Sequence, residues 1–335
     1  MSLPMRCQRP ARARSADPSR VMQHCTDLSS GASALPAGIT VLERGWLSSN
    51  NILIQGDRGA ALIDSGYCSH AAQTLALVRS SLRGHPLTLL LNTHLHSDHC
   101  GGNAALQAAY AELRTLIPPG LATHVSQWNP DALSYTPTGQ SCPQFRFDAL
   151  LQPGTELPLG DLLWQIHAAP GHDPHSVILF EPVSRTLVSA DALWECGFGV
   201  VFPELDGDNA FDEVSATLDL IETLQPVIVI PGHGRPFDDL AGALAVARRR
   251  LDGFLKSPQR HLQYAAKVLL KFKLLQAQSL ERADLLAWAH GTNYLDALFS
   301  RLFAGQEFSQ GLDQLVQELL RAGAATRQGT VLHNA

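Results

Sequence analysis

No apolar run in this sequence approaches the ~20 residues that a membrane-crossing helix requires, so membrane insertion is set aside. Cysteine is sparse as well. Cys7, Cys25, Cys68, Cys100, Cys142 and Cys196 are scattered over 335 residues without CxxC spacing. That pattern disfavours a disulfide framework and suits a reducing, cytoplasmic setting. Positive charge has no surplus: 25 Lys and Arg against 31 Asp and Glu leave a net charge of −6, so the whole chain bears no mark of a nucleic-acid binder. Residues 1–34 contain no continuous apolar stretch of the kind a secretory signal needs. Rich in Arg, Ser and Pro, they read as a disordered N-terminal arm. Met22 is an alternative start, and an organelle transit peptide is the lesser alternative. No internal repeat of the length that marks solenoids is visible.

What is present is a globular composition. With 45% hydrophobic residues, the chain is long enough for a sizeable core and about two domains. From Gly38 onward, "GITVLERG" and "NNILIQGDRGAALIDSG" read as paired strands, "HAAQTLALVRSSLRG" as a helix and "LTLLLNT" as a buried strand. The same texture returns in "LLWQIHAAPG", "SVILFEP", "TLVSADAL", the helical "AFDEVSATLDLIETLQP" and "VIVIPGHG". Between these halves, about Pro118 to Gln152, lies a polar, proline-rich and aromatic stretch of the length used for lids and binding loops. After His233 the pattern is helical and closes on a helix and a short hairpin. The expected division is a catalytic domain over 35–255 and a C-terminal helical, winged-helix-like domain over 256–335.

The densest chemistry is "TLLLNTHLHSDHCGGN", Thr88 to Asn103, which places His94, His96, Asp98 and His99 within six positions. Alternation along an extended segment lets His94, His96 and Asp98 converge on one side. His99 follows as the chain turns into a helix, and the glycines let the backbone pass close by. Imidazole and carboxylate suit zinc or iron, and one cluster cannot complete a site alone. The candidates for completion are His172 in "AAPGHDPHS", Asp191 in "LVSADAL" and His233 in "VIVIPGHG", each just past an apolar strand. Five histidines and two aspartates can serve two metals that share Asp191, an arrangement suited to hydrolysis.

HxHxDH at His94–His99, "LIDSG" at Leu62–Gly66, "PGH" at His172, "SAD" at Asp191 and "PGHG" at His233 together resemble the metallo-β-lactamase superfamily over about Gly38 to Leu255. The resemblance implies an α/β protein, an αββα sandwich with its site at one edge. His94, His96 and His172 would hold the first metal and Asp98, His99 and His233 the second, with Asp191 bridging. The cofactor implied is two zinc ions per chain, with iron or manganese as alternatives. Asp64 would accept a proton from a ligand histidine and fix its tautomer. His175 is weighed between a contact behind the ligands and a spacer. The remaining histidines, His261 among them, read as structural or surface residues, and Cys100 as a small buried hydrophobe. Trp46, Tyr67, Trp194 and Phe198 flank the motif loops and are candidates to line a pocket.

Within the superfamily, an aspartate at 191 where common zinc β-lactamases carry cysteine disfavours antibiotic hydrolysis. The pattern resembles the glyoxalase II and lactonase branch, which implies a small-molecule ester, thioester or lactone substrate with Asp98 and Asp191 as catalytic carboxylates. Neither Ser65 nor Ser97 lies in a GxSxG elbow, so no serine nucleophile is called for. The alternatives are an iron-dependent oxidoreductase of the same fold, persulfide dioxygenase-like, or a nuclease. From Lys256 onward nine Lys and Arg face six Asp and Glu, too small an excess for a groove tracking phosphates. The tail is read instead as a cap or a dimerisation element, which keeps a homodimer open.

Overall fold

The computed structural model describes residues 34–57, 59–82 and 84–335; the arm expected over 1–34 lies, apart from Ala34, outside the described residues. Strands β1 (Ile39–Leu42), β2 (Asn51–Gly56) and β3 (Gly59–Ile63) form an antiparallel meander. Helix α1 (Ala71–Leu82) then carries the chain to β4 (Leu87–Leu91), which lies parallel to β3. Helices α2 (Ser97–Cys100) and α3 (Asn103–Ala109) lead to β5 (Arg114–Ile117); α4 (Ala122–Gln127) and a long loop lead to β6 (Ala149–Leu150). The six strands make one sheet in sequential order.

A second sheet is ordered β11-β10-β9-β8-β7. Its strands are β7 (Glu156–Leu159), β8 (Leu162–Ala168), β9 (Val177–Glu181), β10 (Thr186–Ala190) and β11 (Ile228–Pro231). Helices α5 (Phe202–Asp206) and α6 (Phe211–Leu224) join β10 to β11, which are parallel. Side chains of a strand alternate between faces, and these strands are apolar on both. Ile52, Ile54, Ile63 and Leu91 of the first sheet meet Ile166, Val177, Leu179 and Ile230 of the second in an inner core. The alternate residues Leu53, Leu62 and Leu90 pack outward under Val78 and Leu82 of α1 and Leu106 of α3. Ile178, Phe180, Leu187 and Val229 likewise pack outward under α6. Each sheet therefore needs a helical layer on its outer face, which is the physical origin of the αββα sandwich.

Helices α7 (Leu240–Lys256), α8 (Pro258–Ala277), α9 (Arg282–His290), α10 (Asn293–Leu302) and α11 (Phe308–Arg321) follow, with a small sheet of β12 (Ser279–Glu281), β14 (Val331–Asn334) and β13 (Ala325–Gln328). The closing hairpin expected from sequence is β13–β14. Packing does not break at residue 255. One apolar core runs from Phe180 and Leu218 through Leu251 and Phe254 to Leu270, Leu298 and Leu315. Among the described residues no helix is long and apolar enough to cross a membrane.

Strand direction decides where the chemistry collects. The C-terminal ends of β3, β4, β8, β10 and β11 all reach one edge of the sandwich. Ile63 pairs with Leu91, and Ala190 with Pro231, so the residues just beyond them are brought side by side.

Candidate metal centre

His94 and His96 stand on the turn after β4, Asp98 and His99 on α2, His172 after β8, Asp191 after β10 and His233 after β11. His94 Nε2 lies 3.1 Å from His96 Nδ1, which lies 2.8 Å from His172 Nε2. Three ring nitrogens thus converge on one point, as the ligands of a shared cation would. Asp98 Oδ2 is 3.1 Å from His233 Nε2 and 3.8 Å from His99 Nε2. His94, His96 and His172 form one group that could hold a metal ion; Asp98, His99 and His233 form another. Asp191 sits between them. Its Oδ1 is 3.5 Å from His99 Nε2, while Oδ2 is 3.5 Å from His172 Nε2 and 3.8 Å from His233 Nε2.

The donor set fits a metal. His99 Nδ1 donates to Asp64 Oδ2 at 2.8 Å, which leaves Nε2 as the free face of the ring, buried and without a hydrogen-bond partner. Burial alone would lower the His99 pKa, but Asp191, Asp64 and Asp98 outweigh it and push it well above the ordinary value. The second group therefore calls for positive charge beside its carboxylates. In the first group burial, with His99, His96 and His172 nearby, drives His94 well below the ordinary value. Burial and His96 lower His172 to about 4. Those rings keep their lone pairs available at neutral pH, as metal ligation requires.

The candidate ligands are held from behind by the fold. Asp64 also accepts from the Thr93 backbone N–H at 2.9 Å and hydroxyl at 2.8 Å. It adopts a left-handed backbone (φ 58°), a conformation kept where the surroundings fix it. His172 Nδ1 donates to the Val200 carbonyl at 2.5 Å, which fixes its tautomer. Gly232 is required by close approach, since a Cβ there would lie 2.2 Å from Asp191 Oδ1.

Sequence reasoning missed several contributors. Asp173 Oδ2 lies 3.7 Å from His96 Nε2; its place beside His172 was a signal in plain view. Trp194 was a candidate pocket residue, but its Nε1 also donates to Asp191 Oδ1 at 3.2 Å. Trp46 stacks on His233 at 5.3 Å. Of the four aromatic candidates, Trp46 and Trp194 line the pocket above the cluster, whereas Tyr67 and Phe198 are fully buried. His175 offers its backbone N–H to Asp173 Oδ1 at 2.7 Å, while its ring packs against Gly120. The middle loop reaches the pocket with Ser134, Thr138 and Gln140. It is anchored on both sides: Ser97 donates to Gln140, and the Tyr294 N–H donates to the Pro137 carbonyl at 3.0 Å.

The family model of the metallo-beta-lactamase superfamily matches residues 44–233. The chain belongs to that superfamily. Among curated proteins it resembles the hydroxyacylglutathione hydrolase of Anaeromyxobacter dehalogenans (strain 2CP-C), with 31% identity over 194 residues. That alignment covers 58% of this chain and 64% of the relative, so the chain spans less than two thirds of the relative's length. A beta-lactamase domain protein from Burkholderia ambifaria shares the fold at 19% identity and a TM-score of 0.58, covering 92% of this chain and 97% of that one. A protein solved in a di-iron-bound form is 26% identical with a TM-score of 0.51, over 62% of this chain and 98% of its own.

This superfamily member builds part of its site from outside the family match. Helix α8 supplies Tyr264, Val268, Leu269, Lys271, Phe272 and Leu275 to the pocket over the metal-ligand cluster. It also carries His261, whose Nε2 accepts the Val201 N–H at 3.1 Å, one residue from the carbonyl that orients His172.

Proposed function

We propose that the chain is a hydrolase that uses a dinuclear centre, zinc in preference to iron or manganese, to cleave a small ester, thioester or lactone. The observation that carries this reading is the paired ligand groups with Asp191 between them, each of its oxygens facing a different set of ring nitrogens. In this reading His94, His96 and His172 hold one metal, and Asp98, His99 and His233 the other. Bound metal ions supply Lewis-acid polarisation and a water that loses its proton near neutral pH. Similarity to a hydroxyacylglutathione hydrolase supports hydrolysis as the reaction class.

The chain's own residues have distinct tasks. Asp191 is enclosed, with Trp194 on Oδ1 and His172 and His233 beside Oδ2, so it positions. Asp98 lines the open pocket and its side chain keeps 15% exposure. Burial would raise its pKa, but His99 and His233 outweigh that and hold it below the ordinary carboxylate value. It is thus the ionised group placed to receive the proton of the attacking water and pass it to the leaving group. Trp46 and Trp194 restrict bulk water on the His233 side.

Elemental analysis of protein purified without added metal, followed by assay against thioesters, lactones and phosphodiesters, tests the proposal. Two metal equivalents and chelator-sensitive cleavage of a carbonyl ester or thioester are expected. One iron alone, or cleavage confined to phosphodiesters, overturns it.

A further inference from the structure

The pocket over the candidate centre has a chemical character of its own. Its floor is the ligand cluster, and its walls include Trp46, Trp194 and Phe202. The roof is α8, where Val268, Phe272 and Leu275 follow spacings of four and three and so share one helix face. Leu262, Ala265, Leu269 and Leu270 of the same helix are buried in the core, which fixes that roof in place. Phe272 meets Tyr67 edge-on at 5.2 Å, and Phe202 meets His96 at 4.9 Å. Phe202, Val268, Phe272 and Leu275 are each only partly buried, leaving apolar surface for a ligand to cover.

Charge is the second observation, independent of the first. Among the described residues lining the pocket, Lys271 is the one Lys or Arg. Its ammonium donates to the Ala324 carbonyl, Asn334 Oδ1 and the Ala335 carbonyl, each at 2.7 Å. An ammonium has three N–H donors, and all three are engaged. Among the described residues lining the pocket, no Lys or Arg is left to receive the carboxylates of glutathione or the phosphates of coenzyme A. The polar wall residues Ser134, Thr138 and Gln140 suit a neutral amide or ester.

We infer that the substrate is an ester or thioester of an uncharged medium-length acyl chain, and that Val268, Phe272 and Leu275 of α8 hold that chain. The inference rests on the hydrolase reading for the reaction and on the pocket for the substrate class. Burying one methylene is worth about 0.8 kcal/mol, or about fourfold. The kcat/KM of metal-loaded protein for p-nitrophenyl acetate, butanoate, hexanoate and octanoate should therefore rise by up to about fourfold per methylene until the pocket is filled. Hexanoyl-N-acetylcysteamine should be cleaved at least as well as hexanoyl coenzyme A, and better than S-lactoylglutathione. Phe272→Ala, and separately the half-buried Val268→Ala, should flatten the chain-length slope.

A flat slope in the unsubstituted protein, or tenfold preference for S-lactoylglutathione, overturns the inference. A binding experiment separates it from the reaction: 2-butanone and 2-octanone, neutral and not hydrolysable, are titrated against tryptophan fluorescence, for which Trp46 and Trp194 are reporters. At least tenfold tighter binding of 2-octanone supports the acyl pocket even where no ester is cleaved, a result that would remove the hydrolase reading alone. Equal binding of the two ketones overturns the pocket.

Discussion

His261→Gln should make this protein less sensitive to acid. His261 is 2% exposed, packed at 4.9 Å from the Phe254 ring and 5.3 Å from the Phe211 ring. Burial, with a smaller contribution from Arg301, lowers its pKa from 6.5 to about 4. Its Nε2 must stay unprotonated to accept the Val201 N–H. As pH falls below ~6.5 the unfolded chain takes up this proton while the folded one does not, so stability falls as pH falls towards 4. At about 1.36 kcal/mol per pKa unit, the full loss is about 3 kcal/mol, and about 2 kcal/mol is already lost at pH 5. Glutamine can accept the same N–H without titrating. Urea unfolding of both proteins at pH 7 and pH 5, with chelator throughout so that metal loss does not enter, isolates the effect. Between those pH values the unsubstituted protein should lose about 2 kcal/mol more than His261→Gln. Equal losses would refute the reasoning.

Asp191→Ala should lower turnover by about a hundredfold or more while circular dichroism stays native, because its oxygens serve both ligand groups. Asp64→Asn should weaken metal binding by about 10–100-fold, read by competition with a chromophoric chelator, because the carboxylate that accepts from His99 Nδ1 is lost. Gly232→Ala should also weaken metal binding, since the added Cβ meets Asp191 Oδ1; unchanged affinity would show that the turn after β11 yields. Activity should fall as the pH drops towards 4, where His172 takes up a proton and metal binding weakens, in a profile that a serine-directed reagent leaves unchanged.

The order of strands and helices was legible in the sequence because short continuous apolar runs such as "NILIQG" and "TLLL", bounded by turn signals, read as buried strands. Strands apolar on both faces, like β9 and β10, required cover on both sides. The boundary at residue 255 was less legible: a composition shift marks where helices begin, but does not tell whether they share a core. Here Leu251 and Leu270 belong to one core, and the helices are part of the body that bears the site.

The seven His and Asp candidates could be named from sequence because metal chemistry restricts which side chains serve and they cluster at strand ends. Long-range contacts have no such local signature. That His261 reaches Val201 and that Phe272 roofs the pocket both depend on α8 folding back over the sandwich. Sequence alone thus determined the layered fold and named the candidate ligands, through side-chain patterning and ligand type. Only the tertiary structure decided what surrounds that centre, because a pocket's shape and unpaired charge arise from elements far apart in the chain meeting in space.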